Sequence, residues 1–144
     1  MTGYVLDPSV AVKWVLPEKN EPFTGEASRL LGTFASGQIN FLVPDLFWPE
    51  IGNVLWRSVR RGWISEKSAQ EAIDWVQDIG IPTRPSGELL VDALRIALGL
   101  HQTVYDSIYL ALAVASGRHL LIADERLASA TGLHFPVRWL GALL

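Results

Sequence analysis

Cysteine is absent from the 144 residues, which excludes disulfides and thiolate metal sites. Long apolar runs are missing as well. The longest, Ile108 to Ala115, covers eight residues, against the ~20 that a membrane-crossing helix needs. The start, Met1-Thr2-Gly3-Tyr4, has neither the basic residues nor the apolar core of an export signal, and the chain is read as soluble and cytoplasmic. Charge is scarce: Asp, Glu, Lys and Arg make up 19% of the chain, below the ~25% of ordinary soluble domains. With 49% hydrophobic residues and a mean hydropathy of +0.24, the surface is expected to hold an interface with a partner or a second copy. His101, His119 and His134 show no H-x-x-x-H spacing. There is no Walker A loop, no G-x-G-x-x-G fingerprint and no G-x-S-x-G elbow, so nucleotide cofactors are not expected.

What is present fits one domain, residues 1–144, large enough for a full core. Short apolar runs alternate with amphipathic stretches. Tyr4-Val5-Leu6 is a strand stopped by Pro8, and Phe41-Leu42-Val43 is a second. His119 to Ala123 is a third, and Val137 to Leu140 a last; Ile81 to Arg84 reads as a short edge strand. Helices are expected from Thr24 to Ser36, from Asp45 to about Arg61, from Ser65 to Asp78 and from Glu88 to Leu98, with Gly99 ending that last one. Others run from Val104 to Gly117 and from Arg126 to Thr131. Such alternation predicts a parallel sheet covered by helices on both faces, a three-layer α/β/α sandwich.

The chain is organised around His101 to Ala128, which carries two awkwardly placed carboxylates. Val104 to Ala115 is apolar almost all round, the pattern of a helix buried on every side. Asp106 stacks under Leu110 and Ala113 on that helix, at 100° per residue. Thr103 followed by Asp106 also matches a capping box. Asp124 closes the following strand at its carboxyl end, where open α/β sheets place their ligands. Asp7 ends the first strand in the same way, and it is equally a good N-cap for a helix starting at Pro8 or Ser9. Glu50 lies about 40° from Val54 on its helix wheel, at the border between core and water, where a solvated glutamate is the ordinary outcome. Each acid alone has a plain structural explanation, but the ends that carry all four converge in such a sheet. Crowded carboxylates repel and take up protons unless hard cations such as Mg²⁺ or Mn²⁺ neutralise them. Such ions polarise a phosphodiester and activate water for in-line attack.

The net charge of −3 is not that of a typical nucleic-acid-binding domain. With four of the 15 acids neutralised by cations, however, the 12 Lys and Arg outnumber the remaining acids, and a phosphate backbone becomes an acceptable partner. The one basic cluster, Arg57, Arg60 and Arg61, lies among Trp48, Trp56 and Trp63, a composition typical of protein interfaces and here expected to serve a dimer or a partner protein.

Val5-Leu6-Asp7-Pro8-Ser9, Pro44-Asp45 through Glu50, the segment Val104-Tyr105-Asp106-Ser107-Ile108-Tyr109-Leu110-Ala111 and Ala123-Asp124-Glu125-Arg126-Leu127 together resemble a PIN domain of the VapC type, the toxins of toxin-antitoxin pairs. The Y-D-x-x-Y-L-A-L-A segment is the most specific part, and the resemblance spans nearly the whole chain. It implies a Mg²⁺-dependent endoribonuclease with Asp7, Glu50, Asp106 and Asp124 as its metal site and the Ser9 hydroxyl in support. It further implies a homodimer inhibited by a cognate antitoxin. Where such proteins commonly carry Thr or Ser two residues before the last acid, this chain has Ile122. The alternative is therefore a PIN-like RNA- or protein-binding module with weak or no turnover. A haloacid-dehalogenase-like phosphatase would need a second Asp where Ser9 stands, and a receiver-like phosphoacceptor would need acids beside Asp7, whose next acidic neighbour is Glu18.

Overall fold

Five strands hydrogen-bond in parallel in a computed structural model that describes residues 2–143. They are β1 (Thr2–Leu6), β2 (Ile39–Pro44), β3 (Thr83–Arg84), β4 (His119–Ile122) and β5 (Val137–Trp139), in the order β3-β2-β1-β4-β5. Seven α-helices alternate with them: α1 (Pro8–Ala11), α2 (Thr24–Ala35), α3 (Phe47–Arg60), α4 (Glu66–Asp78), α5 (Leu90–Leu100), α6 (Val104–Ser116) and α7 (Glu125–Thr131). The expected α/β/α sandwich is what forms.

The central strands are mostly apolar. In β1 Tyr4, Val5 and Leu6 are buried, and in β2 Phe41, Leu42 and Val43 are too, as strands covered on both faces require. From β1 the chain builds outwards through β2 and β3, then returns to the other side of β1 with β4 and β5. The sheet therefore changes direction between β1 and β4. A crevice opens at such a switch point, beyond the carboxyl ends of the two strands.

Helix α6 lies across β1, β2 and β4 and packs along α5. Seven consecutive residues, Ser107 to Ala113, are buried, but Tyr105 is 64% exposed and Val114 55%. Burial on every side thus holds for the middle of the helix only. Thirteen residues make a helix of about 20 Å, longer than the ~13–17 Å of the five-residue β1 and four-residue β4 beneath it.

Two helix ends differ in kind. Gly117 caps α6 in the left-handed conformation, φ +66°, as its position predicts. Gly99 does not end α5, which runs on to Leu100. His101 takes the left-handed position instead, φ 56°. Polar residues tolerate that region at a helix end, so the first glycine in sight is not always the stop.

Candidate active site

Asp7, the residue after β1, extends the pairing one step, with its N–H donating to the Leu121 carbonyl at 3.1 Å. Pro8 prevents the strand from continuing and suits the first turn of α1. The Asp7 carboxylate accepts from the Ser9 N–H through Oδ2 at 2.9 Å, so the expected cap is present. Asp124 follows β4 across the switch point and caps α7, its Oδ1 accepting from the Leu127 N–H at 3.2 Å.

The connection just before Asp124 is fastened on both sides. The Ala123 N–H donates to the Ser9 hydroxyl at 3.0 Å, and the Ala123 carbonyl accepts from the Trp139 indole at 3.1 Å. The Ser9 hydroxyl therefore touches the backbone that delivers Asp124. Trp139 carried no signal in the sequence beyond its place in a strand.

Asp106 enters from the first turn of α6. The Thr103 hydroxyl accepts from the Asp106 N–H at 3.1 Å, half of the expected box. The carboxylate itself faces a polar cleft of ≈ 250 Å³, shared with Gln102, Asp124 and Arg126. Glu50, in the first turn of α3, is half-buried rather than solvated. Its Oε1 accepts from the Tyr109 hydroxyl at 2.6 Å.

The electrostatics join the four acids. Burial pushes Asp7 up to about 6, the Ser9 hydrogen bonds oppose this, and the charges of Glu50 and Asp106 add to it. Burial also raises Glu50, against the Tyr109 hydrogen bond, and the Asp106 charge raises it further. Asp106 is raised by burial and by the Asp124 charge, with Thr103 acting the other way. Asp7, Glu50 and Asp106 thus each feel at least one other acid. No lysine or arginine forms an ion pair with them among the described residues, whose ion pairs join Lys13 to Glu21, Arg29 to Glu26, Lys67 to Glu71 and Arg95 to Asp92. Asp45 is the contrast. It too follows a strand, β2, but it accepts from both the N–H and the hydroxyl of Ser86, and these bonds hold it below the usual carboxylate range.

Ile122 is 2% exposed and packs with Leu110, Leu120 and Leu127 under Asp7 and Asp106. The void there, ≈ 10 Å³, is at most marginal for one water, which needs roughly 10–15 Å³. Thr131 lines the same void, so the floor of the site is mostly but not wholly apolar. As the side chains stand, no three of the acids close around one point among the described residues. The donor set itself, carboxylate oxygens without a counter-cation, is the chemistry a hard divalent ion takes.

The basic and aromatic cluster divides. Arg60 lies over Trp56 at 5.6 Å and Arg61 over Trp63 at 4.9 Å, whereas Trp48 packs edge-on against Phe47 and donates to the Thr83 hydroxyl at 3.1 Å. Trp48 thus secures the β3 edge. Trp56, 58% exposed, borders a groove between α3 and α4 that Leu55, Val59, Ala69 and Ile73 line.

Comparison with known proteins bears on the family and the fold. The PIN domain family profile matches residues 4–133 and runs through all four acid-bearing segments. Ribonuclease VapC3 of Pyrobaculum aerophilum is 37% identical over 86 residues, 58% of this chain and 66% of the relative. Ribonuclease VapC1 of Mycobacterium tuberculosis is 37% identical over 90 residues, 62% of this chain and 67% of that one. The match thus spans about two thirds of the length of these relatives. Among solved structures, PAE2754 from Pyrobaculum aerophilum superposes with a TM-score of 0.63 at 21% identity, over 90% of this chain and 79% of its own. VapBC2 from Rickettsia felis, bound to a DNA fragment from its promoter, gives 0.62 at 10% identity, over 95% and 98%. At such identities the superpositions speak for the fold alone. With the sheet order, the acids at its switch point and a family profile that covers most of its length, this chain belongs to the PIN-domain family, on its VapC branch.

Proposed function

We propose that the chain is a metal-dependent endoribonuclease that hydrolyses RNA phosphodiester bonds, with Asp7, Glu50, Asp106 and Asp124 as ligands for Mg²⁺ or Mn²⁺, and that it acts as the toxin of a toxin-antitoxin pair. One observation carries the reading. Four carboxylates from separate segments lie near the switch point of the sheet, their charges bear on one another, and among the described residues none is ion-paired with a lysine or arginine. Burying uncompensated charge is costly, and a fold that needed only caps could use Ser or Asn at those positions. When bound, a divalent ion would polarise the phosphodiester and ease deprotonation of a water.

The residues divide that work. Asp106 and Asp124 line the open cleft, where substrate would arrive, Asp7 is the most enclosed of the four, and Glu50 is held by Tyr109. The Ser9 hydroxyl fixes the exit of β4 and so the approach of Asp124. Arg126 lines the same cleft, the one cationic side chain there among the described residues, and would be placed to meet a phosphate that the acids would otherwise repel. Arg126→Ala is expected to raise KM for RNA about tenfold with a smaller change in kcat and to flatten the dependence of KM on salt. Steady-state cleavage at two salt concentrations checks this.

The direct test of activity is purified chain incubated with mixed RNA and Mg²⁺, Mn²⁺ or EDTA. Cleavage is expected with either ion and none with EDTA; undiminished cleavage in EDTA contradicts the reading. The buried Ile122, with no hydroxyl to offer, favours one second reading, a PIN-like module that binds RNA or protein with little turnover. Metal-dependent RNA binding without cleavage in the same experiment would select it.

Two surfaces fit the partners of such a protein. The α3–α4 groove, apolar at its base and rimmed by Arg60 and the Trp56 ring, suits an apolar, acidic segment of the antitoxin. On α5, Leu90, Val91, Leu94 and Leu98 are 49–70% exposed, an apolar face suited to a second copy. Light scattering is expected to give about twice the chain mass of 15.9 kDa, and Leu94→Glu to return it to that mass. A wild-type chain already at 15.9 kDa contradicts the dimer.

A further inference from the structure

Tyr109 lies three residues after Asp106, on the same side of α6, and its ring is buried, 1% exposed. Its hydroxyl crosses to α3 and donates to Glu50 Oε1 at 2.6 Å, joining residues 59 apart in the chain. A buried tyrosine needs some acceptor, and a backbone carbonyl would satisfy it at no cost to an acid. The buried hydroxyls of Ser58 and Thr131 do this, each donating to the carbonyl four residues earlier in its own helix. Tyr109 instead donates to a carboxylate, and that is the only side-chain partner Glu50 has among the described residues. A phenol has one proton to give. Given to Oε1, it pins a side chain with three rotatable bonds and leaves Oε2 as the oxygen free to take a cation.

We propose that Tyr109 is the positioning residue for Glu50, holding its carboxylate so that a single oxygen is offered to the divalent ion and thereby setting the affinity of the site. This rests on the reading of the four acids as a cation site. Groups that orient a metal ligand typically account for 10–100-fold in metal affinity or activity when removed.

The test is calorimetric titration of the full chain with Mn²⁺ alone, for wild type, Tyr109→Phe, Glu50→Gln, the double variant and Asp106→Asn. Tyr109→Phe is expected to weaken Mn²⁺ binding about tenfold or more, and the double variant to bind no more weakly than Glu50→Gln. Wild-type affinity in Tyr109→Phe, or losses that add in the double variant, would overturn the role, above all if the only effect is a lower melting temperature in EDTA. A wild type that binds no Mn²⁺, or an Asp106→Asn that binds like wild type, would instead overturn the site reading and this inference with it. A second measurement covers a Tyr109→Phe chain that does not fold. The protein has three tyrosines, so in 3-fluorotyrosine-labelled wild type the Tyr109 resonance is identified by elimination with Tyr4→Phe and Tyr105→Phe. It is expected to shift on saturation with Mg²⁺, and a resonance that stays put would overturn the proposal.

Discussion

Asp106→Asn is expected to lower Mg²⁺-dependent RNA cleavage at least about a hundredfold, a barrier increase of roughly 2.7 kcal/mol, while leaving the fold intact. Asparagine keeps the shape of the side chain and loses the charge that would bind a hard cation. The helix start does not depend on the carboxylate, because the Thr103 hydroxyl accepts from the backbone N–H of residue 106. Single-turnover cleavage of a defined RNA and a thermal melt, run on the same preparation, separate the two effects. Near-normal cleavage would place the chemistry elsewhere. Lost cleavage with a collapsed melt would make Asp106 a structural residue.

Asp7→Asn is expected to stabilise the metal-free protein at neutral pH while abolishing activity. Burial and the neighbouring charges push Asp7 from 3.8 up to about 6. The folded chain therefore binds this proton more tightly than the unfolded one. The resulting contribution to stability is fully present below about pH 4 and is lost as pH rises through about 6. At 1.36 kcal/mol per unit the loss at pH 7.5 is at most about 3 kcal/mol, an upper bound because the carboxylate is partly reached by solvent. Asparagine carries no charge and caps a helix about as well as aspartate, so the Ser9 contact survives. In EDTA the variant should melt several degrees above wild type at pH 7.5, with the gap closing towards pH 4. Saturating Mg²⁺ should reverse the order, because only the wild type gains binding energy. A variant no more stable than wild type in EDTA at pH 7.5 would mean that Asp7 serves as a cap and nothing more.

Much of this was legible in the chain because local rules and the fold agree. Pro8 after Asp7, Thr103 before Val104 and Gly117 after Ser116 act within a turn of their own position, and each does in the structure what its type dictates. Asp124 at the end of β4 follows from the same logic. The acids could be read as a set because a parallel sheet brings strand ends together whatever lies between them. What periodicity cannot show is which side chains meet across the fold. Glu50 sits at a helix border, where water is the usual neighbour, and the Tyr109 hydroxyl that claims it comes from another helix. The two bonds to Ala123 likewise come from α1 and β5. Trp48 shares a helix with Trp56 yet serves the β3 edge, since two turns, about 12 Å, separate them along the axis. Ile122 was legible as a missing hydroxyl. That its place is a tightly packed, mostly apolar spot shared with Asp7 and Asp106 emerged only from the packing.

The most direct measurement is a crystal soaked in Mn²⁺ and recorded at a wavelength where manganese scatters anomalously. A peak bounded by the carboxylates of Asp7, Asp106 and Asp124, with Glu50 Oε2 turned towards it, is the expected result. Saturating Mn²⁺ with no peak at the switch point, or with the four acids taken up by lysine or arginine side chains, would contradict the site.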